Sequence, residues 1–323
     1  MGTYRFLLAL CVMLSHLGFS VGGHNPGVSS VVGFYVISGY VMTALIRKYY
    51  ATTQRFGLFL LDRVMRLYPQ FLLYLGLQTL SVWFLKPPIH ELSDLTVKKF
   101  LLNLLMIPVN FYQIDWLGLG SCALMPWSLG LELLFYLVIP FILIFDRRAL
   151  CFGGSLFVFI AAYLGLLNTD LFGYRFLPGT LFMFLCGSLL RDFSGSLSRR
   201  AIWGIVGLIP VGLLGTHLYP KINLPYNVEV LWGLWLAIPL VHWLGRKRSG
   251  KLDVWLGNLS YGVFLNHPVL LFASLGLGID LHPTLNAIGF IITSVLMSWI
   301  SYTYVERPIV DLRHQLTRPI ARS

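Results

Sequence analysis

Charge is what this sequence lacks. Only 11% of its 323 residues are charged, and 13 of those are acidic. A soluble domain covers its surface with roughly 25% charged residues. A chain of this length with so few cannot face water over most of its outside. Cysteine is scarce as well: Cys11, Cys122, Cys151 and Cys186 are scattered, with no C-x-x-C spacing. That excludes the usual sequence signatures of a disulfide framework or a structural zinc site, and no metal site is expected. The ~10-residue alternating segments of a membrane barrel are absent, as are internal repeats and low-complexity stretches.

What the sequence has is apolar length. Hydrophobic residues make up 57% of it, aromatics 15%, and mean hydropathy is +0.74. Runs of sixteen to twenty apolar residues lie near 4–21, 28–46, 67–85, 126–145, 150–167, 175–190, 201–218, 227–244, 254–273 and 285–305. Each can cross a hydrocarbon core of roughly 30 Å as a helix, and lipid leaves backbone groups no partner outside the helix. The expected fold class is all-α: a polytopic integral membrane helical bundle of about ten transmembrane helices. With short loops, 1–323 reads as a single membrane-embedded domain without a separate soluble one. Arg5 before the first run and Gly22-Gly23 after it resemble a secretory leader. The polar residues inside that run argue that it stays.

The net charge of +11 does not point to nucleic acid, which is met by basic residues gathered on one water-facing surface. Here they form short clusters between apolar runs, the topology signal of the positive-inside rule. The run Phe100 to Tyr112 is short and broken by Asn103, Pro108 and Asn110. If it does not cross, and the N-terminus is cytoplasmic, then 47–66, 146–149, 191–200, 246–253 and 306–323 all fall inside. With Arg5, they hold all of the 24 Lys and Arg residues but Lys86, Lys98, Lys99, Arg175 and Lys221. The rule therefore favours ten spans and both termini inside. Segment 86–125 becomes an outer stretch with a short interfacial or re-entrant helix, and 306–323 a cytoplasmic tail.

Polar residues inside such spans are expensive, on the order of 3 kcal/mol for a central Arg, and are functional suspects. Arg5 and His16 are eleven residues apart, which returns them to one helix face with a rise of ~16 Å. Arg5 can also snorkel to inner headgroups. Arg63 and Arg66 share a face at the inner mouth of the third span, where two guanidiniums suit a phosphate-bearing ligand or serve as ordinary topology charge. Ser128 and Glu132 are four apart on one face of the fourth span. His267 lies in the outer half of the ninth, before Pro268. Glu306 and Arg307 leave the last span and can be read as interfacial charges.

These residues carry a resemblance. The sequence looks like the acyltransferase-3 family of membrane O-acyltransferases, whose opening Arg and His are matched by Arg5 and His16. Its second-span signature, two aromatics then Ser-Gly, is matched from Phe34 and Tyr35 to Ser38 and Gly39. Its Arg-x-x-Arg, aromatic, Pro pattern is matched by Arg63, Arg66, Tyr68 and Pro69. Trp127, Ser128, Leu129, Glu132, Phe135, Tyr136 and Pro140 match a fourth signature. Leu256 to His267, with Ser260 and Tyr261, match a fifth, and Glu306 to Pro308 the closing Glu-Arg-Pro. Six such patterns in the family's order cover essentially the whole chain. Val31-Val32-Gly33 stands where members often carry an acid, so no acidic role is expected there.

The resemblance implies transfer of an acyl group, usually acetyl, from cytoplasmic acyl-CoA to a hydroxyl of an extracytoplasmic carbohydrate. That means a surface polysaccharide, an O-antigen or a lipid-linked glycan, in a bacterial cytoplasmic membrane. It casts Arg5, Arg63 and Arg66 as acyl-CoA-binding and His16 as general base, with Glu132 orienting it or binding the sugar. Ser38, Trp127, Ser128, Tyr136, Tyr261, His267 and Glu306 become conduit or acceptor-site residues. A covalent acyl intermediate on His16 or Ser38 stays open, as does a homo-oligomer or partnership with other envelope-glycan assembly proteins. The alternative is a transporter or lipid-linked sugar flippase using the same intramembrane polar residues. Transporters often show paired repeats, and none is evident.

Overall fold

Apolar runs punctuated by Asn, Gly and Pro fold into helices. A computed structural model describes residues 1–89, 95–114, 124–192, 196–279 and 283–317, apart from the side chains of 196–199 and 283–286. Among the described residues there is no strand beyond an isolated bridge between Val21 and His24. In chain order the helices are α1 (Gly2–His16), α2 (Pro26–Tyr49), α3 (Phe56–Leu85), α4 (Val97–Leu104), α5 (Trp127–Ile144) and α6 (Arg148–Tyr163). They continue with α7 (Leu177–Arg191), α8 (Ser196–Leu218), α9 (Asn227–Leu244), α10 (Lys251–Gly276), α11 (Pro283–Ser301) and α12 (Arg307–Thr317). Local chemistry sets several boundaries. The Asn25 side chain accepts from the Gly27 N–H at 2.8 Å, and Pro26 then opens α2 at a position that needs no donor.

Among the described residues, six helical segments are long and apolar enough to cross a membrane: Pro26–Tyr49, Leu171–Arg191, Arg200–Leu218, Asn227–Leu244, Lys251–Gly276 and Ala287–Thr317. α5 and α6 are apolar but shorter. Large apolar side chains such as Trp83, Phe84, Phe157 and Leu208 are exposed, as lipid-facing positions should be. The chain is therefore an all-helical, multi-pass membrane protein.

The chain divides into two compact units. The first comprises Met1, 20–56 and 134–249, and is built on α2. α2 packs against α7 and α9, with α6 on α7 and α8 on α9. Small residues let α2 and α7 approach closely: a Cβ on Gly39 would overlap the Phe184 backbone, and one on Gly187 would overlap that of Val36. At this crossing the buried Thr43 hydroxyl donates to Ser188 Oγ at 2.8 Å, and Tyr35 stacks on Phe184 with centroids 4.6 Å apart.

The second unit comprises 2–19, 57–133 and 250–323. α1 lies along α10, where the Thr3 N–H and hydroxyl both donate to Asp253 Oδ1 (2.8 and 3.0 Å). α10 and α11 are joined by buried polar pairs: Asn266 Nδ2 donates to the Ser294 carbonyl at 2.8 Å, and Ser298 donates to the Leu259 carbonyl at 2.6 Å. α3 meets α10 at two levels. Tyr261 donates to the Leu67 carbonyl at 3.0 Å, and Gly276 packs on Leu85. The two helices therefore run in the same direction.

Several expectations change. The third helix starts earlier than the apolar run 67–85: α3 begins at Phe56 and runs 30 residues through Pro69, so Arg63 and Arg66 share a helix as expected, with Asp62 beside them. The tail from 306 is helical as far as Thr317, with 318–323 outside the described residues. Within 86–125, residues 90–94 and 115–123 (Cys122 among them) are outside the description. The run Phe100 to Tyr112 yields the eight-residue α4, a Met106 at φ +63°, and a 3-10 turn, Ile107–Phe111. Eight residues rise only ~12 Å. Asn103 holds this bend, accepting from the Leu124 N–H at 2.8 Å and donating to the Lys99 carbonyl at 2.9 Å.

Candidate active site

α1 ends at His16, so its ring stands at a helix terminus and is exposed, whereas His267, in the middle of α10, is buried. The packing of α1 along α10 brings them together. Their ring centroids lie 4.8 Å apart, tilted by 44°, and the Phe264 ring stands edge-on to His267 at 5.8 Å. His16 Nδ1 is 2.8 Å from the Val12 carbonyl. A carbonyl can only accept, so Nδ1 carries a proton, and in the neutral ring Nε2 then presents its lone pair. That is the tautomer a general base requires.

Further along α3 lies a cluster of charge. Arg66 pairs with Glu306, which a π-helical turn (Tyr302–Glu306) buries at the end of α11. The Gln70 amide lies 3.1 Å from both Glu306 Oε2 and Ser301 Oγ. With its nitrogen toward the carboxylate, it donates to Glu306 and accepts from Ser301 and from the Tyr302 N–H at 3.2 Å. The Arg66 guanidinium stands 5.2 Å from the Tyr261 ring centroid, a cation–π distance. One turn back, buried Arg63 pairs with fully buried Asp62. α12 also reaches Asp62, through Thr317 Oγ1 at 3.0 Å and Arg313 Nε at 3.6 Å. Among the described residues, three guanidiniums thus meet two carboxylates.

Of the residues expected from sequence, the structure brings together His16 with His267, and Arg66 with Glu306 and Tyr261, all in the second unit. Glu306 is not an interfacial charge but a buried partner, while Arg307 beside it is exposed. Trp127, Ser128 and Glu132 are half-buried on the first part of α5, in the same unit, and Arg5 is half-buried on α1. Ser38 and Tyr136 are buried in the first unit. The sequence reading missed Asp62, Gln70, Tyr74, Asn266, Ser301, Arg313 and Thr317. A signal existed for part of this set: Arg63, Arg66, Gln70, Tyr74, Gln78 and Ser81 recur every three or four residues, so they share one face of α3.

An acyltransferase-domain family profile matches residues 3–303, which takes in α1 through α11. The chain belongs to the acyltransferase-3 family. This acyltransferase is 32% identical to an uncharacterised protein of Aquifex aeolicus over 202 residues, covering 59% of this chain and 90% of that protein. It is 26% identical over 345 residues to the peptidoglycan O-acetyltransferase OatA of Listeria monocytogenes, covering 94% of this chain. It spans about half, 54%, of that relative's length. No solved structure matches it. Arg5, His16, Arg63, Arg66, Glu132 and His267 all fall inside the family-matched stretch; Glu306 and α12 lie just beyond it.

Proposed function

We propose that this membrane acyltransferase moves an acyl group, acetyl by preference, from cytoplasmic acyl-CoA to a hydroxyl of an extracytoplasmic carbohydrate. The reading takes ten crossings, both termini inside, and a bacterial cytoplasmic membrane. The distribution of Lys and Arg supports that topology, and the kinship with a peptidoglycan O-acetyltransferase supports a carbohydrate acceptor.

One observation carries the reading: the His16–His267 pair and the Arg63–Arg66 cluster lie in one unit at separated levels. Arg63 precedes Leu67 by four residues on α3, and Tyr261, bonded to Leu67, precedes His267 by six on α10. Ten residues of helix rise ~15 Å. That separation is comparable with the reach of a pantetheine arm, as is the ~16 Å between Arg5 and His16. Phosphates held at Arg63, Arg66 and Arg5 would deliver the thioester to the histidines.

His16 Nε2 then accepts the proton of the acceptor hydroxyl as its oxygen attacks the thioester carbon. The carbon–sulfur bond breaks, the ester forms, and the thiolate takes the proton back from the imidazolium. Direct transfer needs no acyl-enzyme on His16 or Ser38. Val12 already holds His16 Nδ1, which favours Glu132 as a binder of acceptor hydroxyls rather than the residue that orients the base. Trp127, Ser128 and Tyr261, all of the second unit, are assigned to the conduit and acceptor walls. The test compares envelope glycans from cells with and without the protein by mass spectrometry. Ester-linked acyl groups present only with the protein support the reading; identical glycans in both overturn it.

A further inference from the structure

The polar face of α3 changes character along its length. Angles of 100° per residue place Arg63, Arg66, Gln70, Tyr74, Gln78 and Ser81 within about 60° of one line, running ~27 Å along the helix. At its first end every group is satisfied. Arg63 and Arg66 have carboxylates, Gln70 has Glu306 and Ser301, and the Tyr74 hydroxyl shares a 2.7 Å hydrogen bond with Ser301 Oγ. At the other end none is. Gln78 is fully buried and among the described residues neither its amide nitrogen nor its amide oxygen is hydrogen-bonded; the buried Ser81 hydroxyl, one turn on, has no partner among them either. Off this line, Leu80 and Trp83 are apolar and exposed.

Buried polar groups are hydrogen-bonded in the great majority of cases, and lipid raises the cost of leaving one bare. Two adjacent residues with three bare atoms at the same end of a stripe otherwise fully paired require an occupant. We infer that Gln78 and Ser81 form a subsite for the hydroxyl groups of the carbohydrate acceptor. This rests on the acyl-transfer reading above and gives its acceptor side two residues.

Two arguments fix the chemistry. The bare atoms include a donor (the amide nitrogen), an acceptor (the amide oxygen) and a hydroxyl that can act as either. Sugar hydroxyls present both functions on neighbouring atoms. A thioester carbonyl only accepts, and would leave the Gln78 oxygen unmatched. Position agrees. Leu67 and Tyr261 lie at one level; Gln78 is eleven residues beyond that level on α3, and His267 six beyond it on α10. Gln78 therefore stands roughly 7 Å past the histidines, on the side away from Arg66. Donor phosphates lie on one side of the chemistry and Gln78 on the other.

The test uses the full-length protein with Gln78→Met, Ser81→Ala and the double variant. Three quantities are measured: melting temperature of purified ligand-free protein, its shift with coenzyme A, and ester-linked acyl groups on envelope glycans of expressing cells. The subsite predicts that Gln78→Met melts at or above the wild-type temperature, because an unpaired buried amide is replaced by an apolar side chain of similar shape. It also predicts an unchanged coenzyme A shift and at least a tenfold loss of glycan acylation. Acylation within twofold of wild type in the double variant overturns the subsite. So does loss of the coenzyme A shift, which would move Gln78 to the donor's arm. Wild-type glycans without protein-dependent esters would instead overturn the acyl-transfer reading itself.

Discussion

The exposed ring of His16 faces the buried ring of His267 with 4.8 Å between their centroids, and the Val12 carbonyl fixes the His16 proton on Nδ1. One ring is reachable and leaves Nε2 away from its Val12 hydrogen bond; the other backs it. General-base catalysis contributes typically ~10²–10⁴-fold. His16→Ala is therefore expected to lower glycan acylation at least 100-fold while changing the melting temperature little, since the side chain is exposed. His267→Ala is expected to lower both, because it also opens a space in the interior. Acylation assays and thermal melting on the two purified variants check the contrast.

The Arg66–Glu306 pair makes a separate prediction. Removing one member of a buried ion pair leaves an uncompensated charge and costs about 3–5 kcal/mol, whereas replacing both by apolar residues is often neutral. Glu306→Ala is thus expected to destabilise strongly, and Arg66→Met with Glu306→Leu to recover most of that loss. The double variant should still fail to bind coenzyme A, which separates the structural pairing from the donor contact. Thermal unfolding with and without coenzyme A reads both effects. Wild-type coenzyme A affinity in the double variant would return Arg66 to a purely structural role.

Backbone proximity between α2 and α7 gives a third. Ala at Gly39 or Gly187 forces a Cβ into neighbouring backbone that cannot swing aside, and overpacking of this kind costs about 1–3 kcal/mol. Gly57 and Gly76 on α3 have nothing within 4 Å of a built Cβ. Ala there should be neutral or stabilising by up to ~1 kcal/mol through helix propensity. Melting temperatures of the four variants test whether α2 and α7 cross as described.

The fold was legible where it depends on one helix at a time. Hydropathy located helices close to every expected span, and Arg5 and His16 both lie on α1. What sequence could not supply is which helices meet. Nothing in α1 states that His16 will face α10, and nothing in α3 states that Arg66 will find Glu306. Asp62 precedes the apolar run that starts at Leu67, yet helix formation extends back to Phe56 and buries it. Gln78 and Ser81 disappeared for a related reason. Averaging over a span-length window swamps two polar residues among Leu, Val and Phe, although their spacing from Gln70 and Tyr74 marked the face. The family patterns the sequence resembles reach Arg63, Arg66, Tyr261 and Glu306 but are silent on the buried groups between them.

The most direct measurement of the central claim is transfer across a sealed membrane. Vesicles whose glycan faces the lumen, prepared from cells making wild-type or His16→Ala protein, receive acetyl-labelled acetyl-CoA on the outside. Label ester-linked to the luminal glycan is then counted. The account predicts ester label with wild-type protein and at least 100-fold less with His16→Ala. Equal ester label from both proteins, or label that reaches the lumen without ever being esterified, would contradict it.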